Sequence, residues 1–279
     1  NVDVPAPDLF TDAQVMAWMV DEYNCLAQKQ VPGVLTGKPV GLGGSAGRVD
    51  ATSRGCAYIT RDAAELCGIS LQEARIAIQG CGNVGGHAAR IFDELGCKVI
   101  AISDISGGIY NPRGLDIPAL LEHVSKRGLI EGFSGGEKID NDDLITIDCD
   151  ILIPAALENQ ITAQNAAEIK ASLVIEAANG PTTPEGEQIL KEKNILLVPD
   201  ILANSGGVAV SYFEWVQNNQ GYYWDMDTVN RRLEKMMVEA FRAVHRFGRE
   251  KCGGANMRTA AYGYAVQRLA EAMCYRGWL

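Results

Sequence analysis

Six residues, Gly80-Cys81-Gly82-Asn83-Val84-Gly85, have the types and spacing to hold a pair of phosphates. They follow directly on an apolar run, R-I-A-I-Q, and open a segment with helical patterning. In that context each glycine has a separate task. Gly80 permits a tight turn, Gly82 lets a pyrophosphate approach the backbone, and Gly85 lets the helix pack closely on the strand. The first turn of the helix, from Asn83 and Val84 onward, offers N–H groups and partial positive charge to the anion. A second apolar run, K-V-I-A-I-S, ends at Asp104, where a carboxylate would accept a hydrogen bond from a ribose 2′-OH and repel a 2′-phosphate. The combination reads as a dinucleotide cradle. NAD is the expected cofactor, because Ile105, Ser106 and Gly107 add no cation; NADP or dual use stays open through the Ser106 hydroxyl and through Lys98 or Arg113 folding nearby.

A cradle of this kind needs parallel strands beneath it. From Ala74 onward short apolar runs alternate with helical segments, the pattern of β-α-β units. Strands are expected at 75–79, 98–103, 150–153, 173–177 and 195–199, with helices at 83–95, 116–126, 163–170 and 184–193. The fold class is therefore α/β, doubly wound and Rossmann-like, with a mostly parallel sheet and additional hinge and C-terminal helices. Ahead of it, Thr11 is positioned to cap a helix carrying Val15, Met16, Met19, Val20, Tyr23 and Leu26 on one stripe. Five glycines between Thr36 and Gly47 mark a loop, and a helix runs from about Val49 to Leu66. Beyond Asn204 the chain reads helical to its end, and a stripe of Val229, Leu233, Met236, Met237, Ala240, Phe241 and Val244 is core. The expected division is a linking segment at 1–48, a dinucleotide-binding domain at 49–255 and a returning C-terminal helix at 256–279, with the helices at 11–29 and 256–276 near a hinge.

Composition narrows the function classes. A net charge of −10 argues against a nucleic-acid footprint, which needs clustered Lys and Arg. No apolar run approaches the length of a membrane span, and no secretory leader pattern occurs, so a cytoplasmic protein is expected. The chain opens at Asn1 without Met, and a trimmed front is expected. The eight cysteines form no C-x-x-C pair and have no histidine at ligand spacing, so most are expected to be core residues, with no metal site and no disulfide framework. His87, His123 and His245 form no motif.

Further motifs join the glycine loop in a fixed order: D-V-P-A-P-D from Asp3, G-G-S-A-G-R-V-D-A-T from Gly43, P-A-A-L-E from Pro154, A-N-G-P-T-T-P-E from Ala178 and N-S-G-G-V-A-V-S-Y-F-E-W from Asn204. Together they resemble the glutamate dehydrogenase family from end to end. The resemblance implies reversible oxidative deamination of L-glutamate to 2-oxoglutarate and ammonia, with hydride passing to the nicotinamide. It implies Asp3 as a proton-shuttling carboxylate, Arg48 as a substrate-holding cation and Thr52 as a partner of the nicotinamide amide. Ala155 and Asn179 would contact the cofactor, Asn204 the nicotinamide ribose region, and Ser211 the distal carboxylate of glutamate. Asp3, Arg48, Asn179 and Ser211 each have a plainer alternative: in turn a solvated Asp, a surface cation, a turn-forming Asn before Gly180-Pro181 and an ordinary helix hydroxyl. Arg48 and Thr52, four apart, are expected on one helix face, as are Asn204 and Ser211, seven apart.

One departure stands out. The family carries its catalytic lysines upstream of D-V-P-A-P-D, and nothing here matches that segment; Lys38, in T-G-K-P, belongs to a different motif. The chain is thus expected to be the cofactor-binding region of a homohexameric parent enzyme, inactive by itself and of open oligomeric state. A non-catalytic dinucleotide-binding module and a sibling amino acid dehydrogenase are the competing readings.

Overall fold

The structure, a computed structural model, describes residues 3–8, 10–254 and 256–279. Seven strands form one sheet: β1 (Arg75–Gln79), β2 (Lys98–Asp104), β3 (Gly107–Tyr110), β4 (Glu137–Ile139), β5 (Ile151–Pro154), β6 (Leu173–Ile175) and β7 (Leu196–Val198). Their spatial order is β4-β3-β2-β1-β5-β6-β7, with β2, β1, β5, β6 and β7 parallel and with β3 antiparallel to both β2 and β4 at one edge. The chain winds outward from β1 to β2 and then returns to β5 on the other side of β1. That reversal opens a crevice at the carboxyl ends of the central strands, where such sheets hold ligands.

The helices are α1 (Ala13–Ala27), α2 (Ala51–Leu66), α3 (Asn83–Glu94), α4 (Ile117–Arg127), α5 (Asn141–Ile145), α6 (Pro184–Glu192), α7 (Asp200–Ala203), α8 (Gly206–Gln220), α9 (Met226–Lys251) and α10 (Met257–Tyr275). Alternation along the strands feeds two cores. Ile76, Ile78, Ile151, Ile153 and Val198 face α2, α3 and α8 to α10, whereas Ala77, Leu152, Val174 and Leu197 face α5 and α6. In β2 the alternation skips. Ile76 pairs with Val99 but Ala77 with Ala101, so Ile100 is the extra residue of a bulge, and Ile100 and Ala101 both join the second core.

Several sequence expectations need correction. The edge strands β3 and β4 are short and are not among the strands expected from sequence. The helix expected at 163–170 shrinks to a single 3-10 turn, Ala166–Glu168. Asn165 is the reason: its side chain accepts from Thr162 N (2.8 Å) and donates to Gln160 O (2.8 Å), which fixes a turn in place of a helix. Asp12, not Thr11, caps α1, accepting from Val15 N, while Thr11 closes a turn onto Asp8. Only Met16 and Val20 of the α1 stripe are buried; Met19, Tyr23 and Leu26 are exposed. In α9, Met236 is exposed while Val229, Leu233, Met237, Phe241 and Val244 are core. Of the cysteines, Cys56, Cys97 and Cys149 are buried, but Cys25 and Cys274 are exposed.

The glycine-rich loop ahead of α2 is tied to α8 by an ion pair. Lys38 Nζ donates to Glu214 Oε1 (2.6 Å) and to Leu35 O (2.6 Å), and both side chains are fully shielded from solvent. Glu214 Oε2 also accepts from Gly37 N (3.0 Å), and Asn218 Nδ2 donates to Gly43 O (2.8 Å). Gly55 and Gly206 then let α2 and α8 touch backbone to backbone. A Cβ on Gly206 would overlap the Ala51 carbonyl oxygen, and one on Gly55 would lie 2.9 Å from Gly206 Cα. Breaking the ion pair from one side strands a buried carboxylate. Lys38→Met is expected to cost ~3–5 kcal/mol, read from the urea unfolding midpoint at unchanged slope. A loss below about 1 kcal/mol would mean that the pair does not hold this loop.

Candidate functional site

The phosphate end lies where β1 meets α3. Gly80 has φ 100°, and a Cβ there would sit 2.9 Å from Ala155 O; a Cβ on Gly85 would overlap the Gly80 carbonyl oxygen. Gly82, with open space around its Cα, is the N-cap of α3, and no side chain caps the helix. The first-turn N–H groups, beginning at Asn83, Val84 and Gly85, therefore remain for an anion, and the helix dipole favours one there. Ser103 Oγ accepts from Gly80 N (3.3 Å), and Ser53 Oγ donates to Val84 O (2.7 Å), so β2 and α2 both steady the turn. Ala155 follows β5 directly, its N–H bonded to Gln79 O (2.8 Å), which sets it beside Gly80 across the crevice.

Asp104 ends β2 with its carboxylate already oriented. Oδ1 accepts from Ser106 N (2.7 Å) and Ser106 Oγ (2.5 Å), and Oδ2 accepts from Ile130 N (2.7 Å). The Ser106 hydroxyl is thus engaged with the carboxylate. Lys98 stands at the opposite end of the strand, ~20 Å away by strand rise, where it pairs with Glu73. Arg113 is exposed on the turn at 111–114, which packs beside Lys98 and Ile100 at that same far end. None of the three sequence candidates for a 2′-phosphate contact is placed to offer one.

At the other end of the crevice the remaining residues meet in pairs. Asn204 Nδ2 donates to Asn179 Oδ1 (2.7 Å). Arg48 Nε donates to Ser211 Oγ (3.0 Å), and Ser211 is buried. Burial pulls the Arg48 guanidinium below its usual value, opposed by the charge of Glu214. Thr52 sits in the first turn of α2; a Cβ on Gly207 would lie 2.6 Å from Thr52 Oγ1 and 3.8 Å from an Arg48 guanidinium nitrogen. Two sequence expectations about helix faces fail. Arg48 lies in the turn before α2, because the helix starts at Ala51. Asn204 is the C-cap of the short α7, so it shares no helix with Ser211. The approach of α2 to α8 nonetheless brings Arg48 to Ser211 and Thr52 to Gly207.

Asp3 is exposed, and its Oδ1 accepts from Val4 N (2.9 Å). Its segment is tethered to the glycine-rich loop: Thr36 N donates to Pro5 O (2.9 Å), and a Cβ on Gly37 would overlap the Pro7 ring. Sequence reasoning missed Glu214 and the role of Lys38, which hold the loop that ends at Arg48. It also missed Arg258, whose three carboxylate partners gather beneath Asn179 and Asn204. No local motif signals either, since each joins residues far apart in the chain.

Cys81, inside the cradle, gives a direct probe of its electrostatics. Burial, with a smaller contribution from the Asp104 charge, pushes its thiol up to about 11. Because the thiolate is the reactive form, a brief maleimide pulse at pH 7.5 should label the exposed Cys25 and Cys274 well before Cys81. Raising the pH towards 10 should accelerate Cys81 disproportionately. Equal labelling at pH 7.5, by peptide mass mapping, would contradict this environment.

Comparison with known proteins agrees with the geometry. The family model described as Glutamate/Leucine/Phenylalanine/Valine dehydrogenase matches residues 43–277. A cryptic catabolic NAD-specific glutamate dehydrogenase of Bacillus subtilis is 50% identical over 277 residues, 99% of this chain and 64% of that protein. An NAD-specific glutamate dehydrogenase of Staphylococcus aureus is 49% identical over 278 residues and is covered to 66%. The chain thus spans about two thirds of the length of these relatives, 64–66%. Among solved structures, the hetero-hexameric glutamate dehydrogenase of Thermus thermophilus in its Leu-bound form superposes with a TM-score of 0.92 at 36% identity, over 98% of this chain and 64% of that one. Glutamate dehydrogenase of Peptoniphilus asaccharolyticus gives 0.86 at 42% identity, over 100% and 66%. With its motifs, its fold and these matches in agreement, the chain belongs to the glutamate/leucine/phenylalanine/valine dehydrogenase family.

Proposed function

We propose that this chain is the cofactor-binding region of an NAD-dependent glutamate dehydrogenase. The observation that carries the reading is the glycine cradle beside an oriented carboxylate. The uncapped start of α3 offers N–H groups to a pyrophosphate, and Gly82 leaves its approach open. Asp104 carries a held negative charge where the adenosine ribose would lie, which suits a 2′-OH and opposes a 2′-phosphate. Both named relatives are NAD-specific, in keeping with that preference. Ala155 would flank the cofactor from β5, while Asn179, Asn204 and Thr52 would orient its nicotinamide half. When bound, the nicotinamide accepts or returns the hydride of the substrate Cα.

The chain's own residues would do the rest. Arg48 and Ser211 form a half-buried polar pair that suits a carboxylate. An aliphatic side chain seated there would desolvate both groups without supplying an acceptor for the remaining guanidinium N–H groups, at a cost that favours glutamate over leucine or valine. Asp3 would move protons between the amine, the attacking water and solvent. The lysines that polarise the carbonyl and activate water would come from a segment outside these 279 residues, so the chain by itself would bind without turnover. Assembly as a hexamer of the parent protein is part of the same reading. Among the described residues no helix is long and apolar enough to cross a membrane.

Titration followed by nicotinamide fluorescence tests this. NADH should bind about tenfold or more tightly than NADPH, and Asp104→Asn should narrow the gap. Equal affinity for the two would contradict the NAD reading, and binding of neither would contradict the dinucleotide reading. Glutamate turnover by the chain alone would contradict the assignment of the lysines.

A further inference from the structure

Arg258 stands at the second position of α10, far in sequence from every residue of the crevice, yet three carboxylates converge on its guanidinium. Nε donates to Glu187 Oε2 (2.6 Å), Nη1 to Asp200 Oδ1 (2.8 Å) and Nη2 to Glu176 Oε2 (2.6 Å). Glu187 lies on α6, Asp200 begins α7, and Glu176 follows β6 fully buried. Three acids around one base leave an excess of negative charge in a poorly solvated place. Burial holds the Glu176 carboxyl above its ordinary range, with Arg258 opposing that shift. A staple between α10 and the sheet would need only one of these acids.

The third acid leads to the crevice. Asp200 Oδ2 accepts from Gly180 N (2.7 Å), next to Asn179, and Asp200 O accepts from Asn204 N (3.0 Å). Asp200 N in turn donates to Glu176 Oε2 (2.8 Å), the oxygen that Arg258 holds. Asn179 and Asn204 arrive on different loops, the first exposed and the second half-buried, and are joined to each other by one side-chain hydrogen bond of 2.7 Å. Little packing fixes either amide. Their relative position depends on Asp200, and that of Asp200 on Arg258.

We infer that Arg258 is a positioning residue for the nicotinamide half of the cofactor site, acting through Asp200 to hold Asn179 and Asn204 in register. This rests on the dinucleotide reading above. The test compares NADH with ADP, which carries the pyrophosphate and adenosine ribose but neither the nicotinamide nor its ribose. In the unaltered chain both should bind. Arg258→Met should weaken NADH about five- to tenfold, the scale of one ordinary hydrogen bond, and leave ADP within about twofold. Arg258→Lys, which keeps the charge but not the three-way fork, should fall between. Asp200→Asn leaves Arg258 paired with Glu176 and Glu187 and should reproduce the selective loss, which keeps the inference testable if Arg258→Met fails to fold. Parallel loss of both ligands in the folded variants, or unchanged NADH affinity, overturns the inference and leaves the dinucleotide reading standing. Failure of the unaltered chain to bind either ligand removes both.

Discussion

Everything at the crevice depends on how closely α3 approaches the end of β1. Gly85 stands so near the Gly80 carbonyl that no side chain fits between them, and Gly80 in turn takes φ 100° against Ala155. Both positions are closed to a Cβ, one by backbone overlap and the other by backbone conformation as well. Because the helix is drawn in to this distance, its first turn opens over the sheet edge at the point where the winding reverses from β1 to β5. The partial charge of α3 and the gap between the loops then fall in one place, and an anion of pyrophosphate size has both a donor set and room.

The other half of the site is built on a different principle. The residues from Thr36 to Arg48 have no regular structure longer than a 3-10 turn, so they depend on tertiary ties. A shielded lysine and glutamate supply the tie to α8, and the Gly55–Gly206 contact sets α2 against the same helix. Such a pair is expensive to desolvate and gains little net stability over an apolar substitute. Its value here is geometric. It fixes where the loop ends, and hence where the Arg48 guanidinium meets the Ser211 hydroxyl.

The features legible in the sequence are those whose causes are local. The glycine loop, β1 and the end of β2 at Asp104 are all written within a few residues of one another, as alternating apolar runs broken by glycine. Edge strands β3 and β4 carry no such signal, because a strand of three or four residues is too short for an alternation to show. The helix expected at 163–170 lost to a side chain: Asn165 offered the backbone a turn. Asn204 and Ser211 were expected on one helix, but the chain breaks between α7 and α8 at Asn204-Ser205, directly ahead of Gly206-Gly207, a pair that punctuates helices. Ser106 left a phosphate contact open in the sequence, but the carboxylate two residues before it is the nearer acceptor. Lys38 with Glu214, and Arg258 with its three acids, join residues from 58 to 176 positions apart, beyond the reach of any motif.

The central claim is that one crevice, at the carboxyl ends of β1, β2, β5 and β6, takes the cofactor along its whole length. Amide hydrogen exchange with and without saturating NADH tests it most directly. The account predicts slowed exchange at 80–86, 104–106, 155–158, 178–181 and 204–208, with α9 and α10 unchanged. Protection confined to α9 and α10, or absent from the start of α3, would contradict it.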